Sequence, residues 1–181
     1  MAALTTLKGY RDQKLEVADI ELIHRGIFEP VFGEKTLGFR NLRKHGVTFP
    51  IVTGTQEEPH SGVRRGTGGK QVRQSLGKAL AVFERDVEAL DAAARPPIDD
   101  AARAAVKLYT KVIGIHPFFD GNGRTAWAVV SYALQRCGLV EIAVPPSDQT
   151  RWALGRALRQ DGSQSYEPLT KLVVAAIRDS V

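Results

Sequence analysis

The sequence predicts an all-α fold, a helical bundle that carries one small β-hairpin. Apolar residues recur at helical spacing along most of the chain. The cleanest run is Ala126, Val129, Val130, Ala133, Leu134 and Cys137, which fall at i, i+3, i+4, i+7, i+8 and i+11. Within 41–52, β-branched residues lie on one side of a Lys44-His45-Gly46 turn, the pattern of a short hairpin. At 181 residues the chain is read as a single domain, 1–181, long enough to bury a core. It has no internal repeat or low-complexity tract.

Residues 1–11 lack any period and are expected to form an N-terminal arm. A helix is expected over 12–32, with Val17, Ile20, His24, Ile27 and Phe28 along one side. The hairpin follows the loop at 33–38. Residues 53–69 are rich in Gly, Thr, Glu, Pro and Ser without a period, and read as a long surface loop. Helical patterning returns over 70–93, with Val72, Leu76, Ala79, Leu80, Phe83, Val87 and Leu90 facing inward, until Arg95-Pro96-Pro97 breaks it. Asp99 and Asp100 then open a helix whose stripe is Ala102, Ala105, Leu108/Tyr109 and Val112. The Ala126 stripe forms the next helix and ends at Gly138. After Val144-Pro145-Pro146, Ser147 or Asp148 caps a helix through Arg159. Pro168 sits at the start of the last one, where its missing N–H costs nothing; its apolar face is Leu169, Leu172, Val173, Ala176 and Ile177.

Between the two central helices lies Ile115-His116-Pro117-Phe118-Phe119-Asp120-Gly121-Asn122-Gly123-Arg124-Thr125-Ala126-Trp127. Pro117 pushes His116 out of the α region, so the first helix is expected to stop near Gly114. The second cannot start before Asn122 without two glycines in its interior. The stretch is therefore a tight loop feeding a helix N-terminus, whose unpaired N–H groups favour an anion. Gly121 and Gly123 let those amides converge and leave no side chain between backbone and ligand. Arg124 adds a planar fork suited to phosphate oxygens. Asp120 is an oxygen ligand of the kind Mg²⁺ takes when phosphates fill the rest of its shell. His116 can take a proton near neutral pH. A glycine-rich loop before a helix is ordinarily only a turn, but this combination of groups in one short run points to phosphoryl or nucleotidyl transfer.

These residues closely resemble the motif of the Fic family, His-x-Phe-x-Asp/Glu-Gly-Asn-Gly-Arg-x-x-Arg. His116, Phe118, Asp120, Gly121, Asn122, Gly123 and Arg124 match, while Trp127 stands where the family usually has a second arginine. Ile23-His24-Arg25 with Phe28 is similar to the family's first helix, and Leu37-Gly38-Phe39-Arg40 to its Gly-x-aromatic-Arg segment. The resemblance implies the Fic fold, with the 42–52 hairpin as a flap along whose edge a hydroxyl-bearing target protein docks. It implies a protein adenylyltransferase that transfers AMP from ATP with Mg²⁺. His116 would be the general base, Asp120 the Mg²⁺ ligand, and Gly121, Asn122, Gly123 and Arg124 the phosphate-binding set. Phe119 is placed with that nucleotide-binding set by its position in the loop alone. Phe118 would anchor the loop in the core, and His24 would be structural rather than a second base.

The resemblance also carries rivals. Doc-type relatives lack the second arginine and phosphorylate their target, but have Ala and Lys in place of Gly121 and Gly123. Others transfer UMP or phosphocholine, and a catalytically silent binding module is a further alternative. The inhibitory Ser/Thr-x-x-x-Glu-Gly/Asn motif finds only imperfect strings at 53–58 and 163–168, so built-in inhibition is expected to be absent; a separate antitoxin is left open.

Composition narrows the rest. A net charge of +5 thickens at Arg40, Arg43, Lys44 and His45 and again at Arg64, Arg65, Lys70 and Arg73. With aromatics only 7% and no basic helix face, this reads as a solvated surface that attracts nucleotide or an acidic partner, and nucleic-acid binding is disfavoured. No apolar run approaches the roughly 20 residues of a membrane helix. The single Cys137 excludes an internal disulfide or cysteine-built zinc site. No metal-ligand spacing links His24, His45, His60 and His116. A cytoplasmic protein is expected, a secreted effector acting inside another cell being the other fit.

Overall fold

The computed structural model describes residues 14–32, 38–40, 50–53, 62–65, 67–91, 97–144, 147–159 and 164–180. Helix α1 (Val17–Phe32) opens where the Asp19 carboxylate reaches back to accept the Glu16 N–H at 2.7 Å. Residues 14–16 are not helical, so the helix begins later than the sequence pattern suggested. Its inner face is Ile20, Ile23, His24 and Phe28, all buried.

Strand β1 (Pro50–Thr53) pairs antiparallel with β2 (Gly62–Arg65), with Val52 opposite Val63. The expected Lys44-His45-Gly46 turn and residues 41–49 lie outside the described residues. The strand at Gly62–Arg65 corrects the expectation of an unstructured loop over 53–69. That stretch offers one apolar residue, Val63, and no alternation, so its pairing is decided by main-chain hydrogen bonds that side-chain periodicity does not report.

A 3₁₀ turn (Gly69–Gln71) leads into α2 (Val72–Asp91), followed by α3 (Ile98–Ile115) and α4 (Asn122–Arg136). Helix α5 (Asp148–Leu158) is capped by Ser147, whose hydroxyl accepts the Thr150 N–H at 3.1 Å. Helix α6 (Glu167–Asp179) begins with Pro168 in its first turn.

Helices α3 and α4 form the centre. In α3 the residues Ala104, Ala105, Val106, Leu108, Tyr109, Thr110, Val112 and Ile113 are buried, which takes in more than one face of the helix. In α4 the run from Val129 to Leu134 is buried throughout. Helix α3 packs against α2, α4, α5 and α6. Its small residues Ala101, Ala102, Ala104 and Ala105 allow that close approach. The loop between α3 and α4 is thus hung between the two most buried helices of the bundle.

Candidate functional site

Helix α3 ends at Ile115, next to the expected stop, and is capped by His116 with φ 53° and ψ 62°. A left-handed backbone at a non-glycine residue costs about 1–2 kcal/mol. Other groups must therefore hold it there. Buried Arg40 does so: its guanidinium donates to the carbonyls of Ile115 (2.9 Å), His116 and Thr67, and its N–H donates to Pro117 O at 2.9 Å. Sequence places Arg40 in a solvated basic patch; at 3% exposure it is instead part of the interior. Charge-run reasoning could not separate it from its neighbours. The only signal was the Gly-x-aromatic-Arg segment in which it stands.

The rest of the loop is fixed from both sides. Phe118 is fully buried and stacks on His24 at 3.7 Å between centroids, with Phe39 5.2 Å away. The Asn122 side chain accepts the Phe118 N–H and donates to the Phe118 carbonyl, both at 2.9 Å, closing the loop across its own width. Its amide thereby serves loop closure, leaving the Asn122 main-chain N–H as its donor at the start of α4. His24 Nε2 lies 3.0 Å from the Asp120 carbonyl. A carbonyl only accepts, so Nε2 carries the proton, and burial holds the ring below its usual pKa. That is the structural role expected of His24.

Gly121 caps α4 with φ 77°, and a Cβ there would stand 2.2 Å from Cε2 of Phe28. Only glycine satisfies both constraints. At Gly123, by contrast, a Cβ would meet nothing within 4 Å. The Thr125 N–H is the first to reach back along the helix, to Gly121 O at 2.9 Å. The N–H groups of Asn122, Gly123 and Arg124 therefore have no intrahelical acceptor. The Arg124 guanidinium rests 4.2 Å over the Phe28 ring, a platform the sequence reading had taken only as core. Asp120 is exposed and accepts the Gly121 N–H at 2.6 Å.

His116, Phe119, Asp120, Gly121, Asn122, Gly123 and Arg124 line one hollow of about 290 Å³. The structure therefore gathers every residue singled out from the sequence as base, metal ligand or phosphate binder. A larger cleft, about 860 Å³, lies beside the α3 C-terminus and includes Thr67, Lys78, Lys111 and Arg159. Half-buried His116 is held below its ordinary pKa, first by burial and then by the Arg40 charge, with Asp120 pulling the other way. It is thus kept neutral, and able to accept a proton, at neutral pH. Trp127 packs against Tyr109 of α3, with the ring centroids 4.3 Å apart and the planes tilted by 34°, and is half-buried on the flank of the core. Among the described residues, no group of three or more His, Cys, Asp or Glu could hold a metal by itself.

The central loop of this helical bundle sets a histidine beside an open helix N-terminus, an arrangement suited to an anion. Residues 14–134 match the Fic/DOC family, and the chain belongs to that family. Over 70 residues it is 33% identical to the protein adenylyltransferase Fic of Drosophila ananassae, a stretch that is 39% of this chain and 13% of that protein. The protein of the same name from Drosophila melanogaster matches to the same extent. The fold is similar to that of a Fic domain-containing signalling protein from Bacteroides thetaiotaomicron (TM-score 0.68, 19% identity, 98% of this chain and 66% of that one). It is also similar to BepC, a VirB-translocated effector of Bartonella tribocorum with bound AMPPNP (TM-score 0.66, 15% identity, 97% and 82%). At such identities the structural likeness concerns the fold. No helix of the described residues is long and apolar enough to cross a membrane.

Proposed function

We propose that this chain is a protein adenylyltransferase that transfers AMP from ATP to a side-chain hydroxyl of a target protein. The observation that carries this is the single hollow in which neutral His116 faces the open start of α4. The hydroxyl loses its proton to His116 as its oxygen attacks the α-phosphorus. The new O–P bond forms as the bond to the β-phosphate oxygen breaks, and pyrophosphate leaves. Nδ1 of His116 is buried, so Nε2 is the nitrogen assigned to the proton. The N–H groups of Asn122, Gly123 and Arg124 receive the negative charge that builds on the phosphate oxygens. Arg124, steadied on Phe28, binds phosphate with its fork.

The donor set fits Mg²⁺. One exposed carboxylate beside a phosphate hollow is what this ion uses when substrate oxygens complete its octahedron. Asp120 would hold it, and when bound the ion would neutralise phosphate charge. The target would lie along the 42–52 stretch, continuing as an added strand the extended pairing that begins at Pro50–Thr53.

One observation favours a second reading. Trp127, in the second turn of α4, packs on Tyr109, so that position, where the family usually has a second arginine, brings no cation to an outer phosphate. A nucleotide bound the other way round would then donate its terminal phosphate instead. Mass spectrometry of lysate proteins incubated with the enzyme, Mg²⁺ and each of ATP, GTP, UTP and CTP separates the readings. Adducts of AMP support the proposal. Phosphate or another nucleotide adduct replaces it, and no adduct with any of the four refutes it.

A further inference from the structure

Arg40 stands where three stretches of chain meet. Its own main chain binds Pro117, its guanidinium binds the carbonyls of Ile115, His116 and Thr67, and the Thr67 N–H donates to Ile115 O at 3.1 Å. The chain from 41 to 66 therefore leaves and returns at one point, directly beneath His116. The last carbonyls of α3 carry the negative end of that helix, so a buried cation placed on them is stabilised electrostatically as well as by hydrogen bonds. The rigid fork donates from Nε and Nη2 at once, whereas a lysine would gather its three donors on one nitrogen at the end of a flexible stem.

We propose that Arg40 is a positioning residue: its fork fixes the left-handed main chain of His116, and hence its imidazole, and ties both ends of the 41–66 excursion to that same point. This rests on the reading of His116 as the base. Arg40 does not line the hollow at the start of α4, so it serves the proton-accepting side of the reaction and not phosphate binding. Among the described residues, two charged groups act on the imidazole: Arg40, which drives a proton off, and Asp120, which draws one on.

The test compares the full chain with Arg40→Met and Arg40→Lys. Its readouts are ATP affinity by calorimetry, the rate of α-phosphate label transfer from ATP to lysate protein across pH, and the His116 imidazole titration by NMR. Arg40→Met should slow transfer tenfold or more with ATP affinity within threefold of the parent. Its acid limb and the His116 titration should both move to higher pH, because a cation has gone. Arg40→Lys should keep the acid limb near its original place and still be slow, since the charge stays and the fork is lost. A folded Arg40→Met with parental rate and parental His116 titration overturns the proposal. So does a rate loss matched by an equal loss of ATP affinity, or an Arg40→Lys as fast as the parent. If Arg40→Met does not fold, Arg40→Lys decides by its rate. If the parent chain transfers no label, the base reading fails on its own; a His116 main-chain amide signal displaced in Arg40→Met then supports the positioning by Arg40, and one left in place overturns it.

Discussion

At the scale of single residues, the two motif glycines should behave in opposite ways. Gly121→Ala places a methyl into the Phe28 ring on a left-handed backbone, and should destabilise the fold by about 2–4 kcal/mol. Gly123→Ala meets open space in the first turn of a helix, where alanine is the better residue by about 0.5–1 kcal/mol. Its stability should hold or rise while ATP binding weakens, because the new methyl stands where phosphate would lie. Denaturant midpoints together with calorimetry check both. His116→Ala should keep the fold and lose roughly 10²–10⁴ in transfer rate. His116→Gly should lose the same activity but melt higher, since glycine takes φ 53° without strain. Equal melting of the two variants would mean the left-handed turn stores no energy. Trp127→Arg should lose stability as the ring leaves Tyr109, by a few kcal/mol at most for a half-buried side chain. It should gain about 1–2 kcal/mol in ATP affinity if the missing cation matters. A folded variant with unchanged ATP affinity leaves Trp127 with packing alone.

Among the elements, α1 is what clamps the motif loop from outside, through His24 on Asp120 and Phe28 under Arg124. This makes the clamp acid-sensitive. The folded state holds a proton on His24 more weakly than the unfolded chain does, so unfolding takes up protons and stability falls as pH drops below about 6.5. His116 contributes with the same sign. His24→Gln keeps a donor for the Asp120 carbonyl but does not titrate. Its stability between pH 7 and pH 5 should decline less than that of the parent, and an identical decline would remove His24 from the account. The helices were legible because each shows a stripe long enough to set its period, as with Val72 to Val87 in α2. Strand β2 was not, because Gly62–Arg65 has too few apolar residues to alternate. The end of α3 was legible to within a residue, because Pro117 bars His116 from the helix. The left-handed turn of His116 was not, because Arg40, which holds it, is far away in sequence.

For the molecule as a whole, that same division between local and distant information decided how much of the site could be read. His116 to Arg124 are contiguous, so their types and spacing sufficed to name the hollow's lining. Phe28, Arg40 and Tyr109 act on the site from α1, the segment before the strands and α3 respectively, and only the packed bundle brings them together. Transfer is the property that the assembled hollow is held to produce, and the position of a radiolabel tests it most directly. ATP labelled at the α- or the γ-phosphate, incubated with the chain, Mg²⁺ and lysate, should leave the α label on protein and the γ label in released pyrophosphate, with His116→Ala abolishing the transfer. Label on protein from the γ position above that of lysate alone and lost with His116→Ala, or α label that persists undiminished with His116→Ala, would contradict the account.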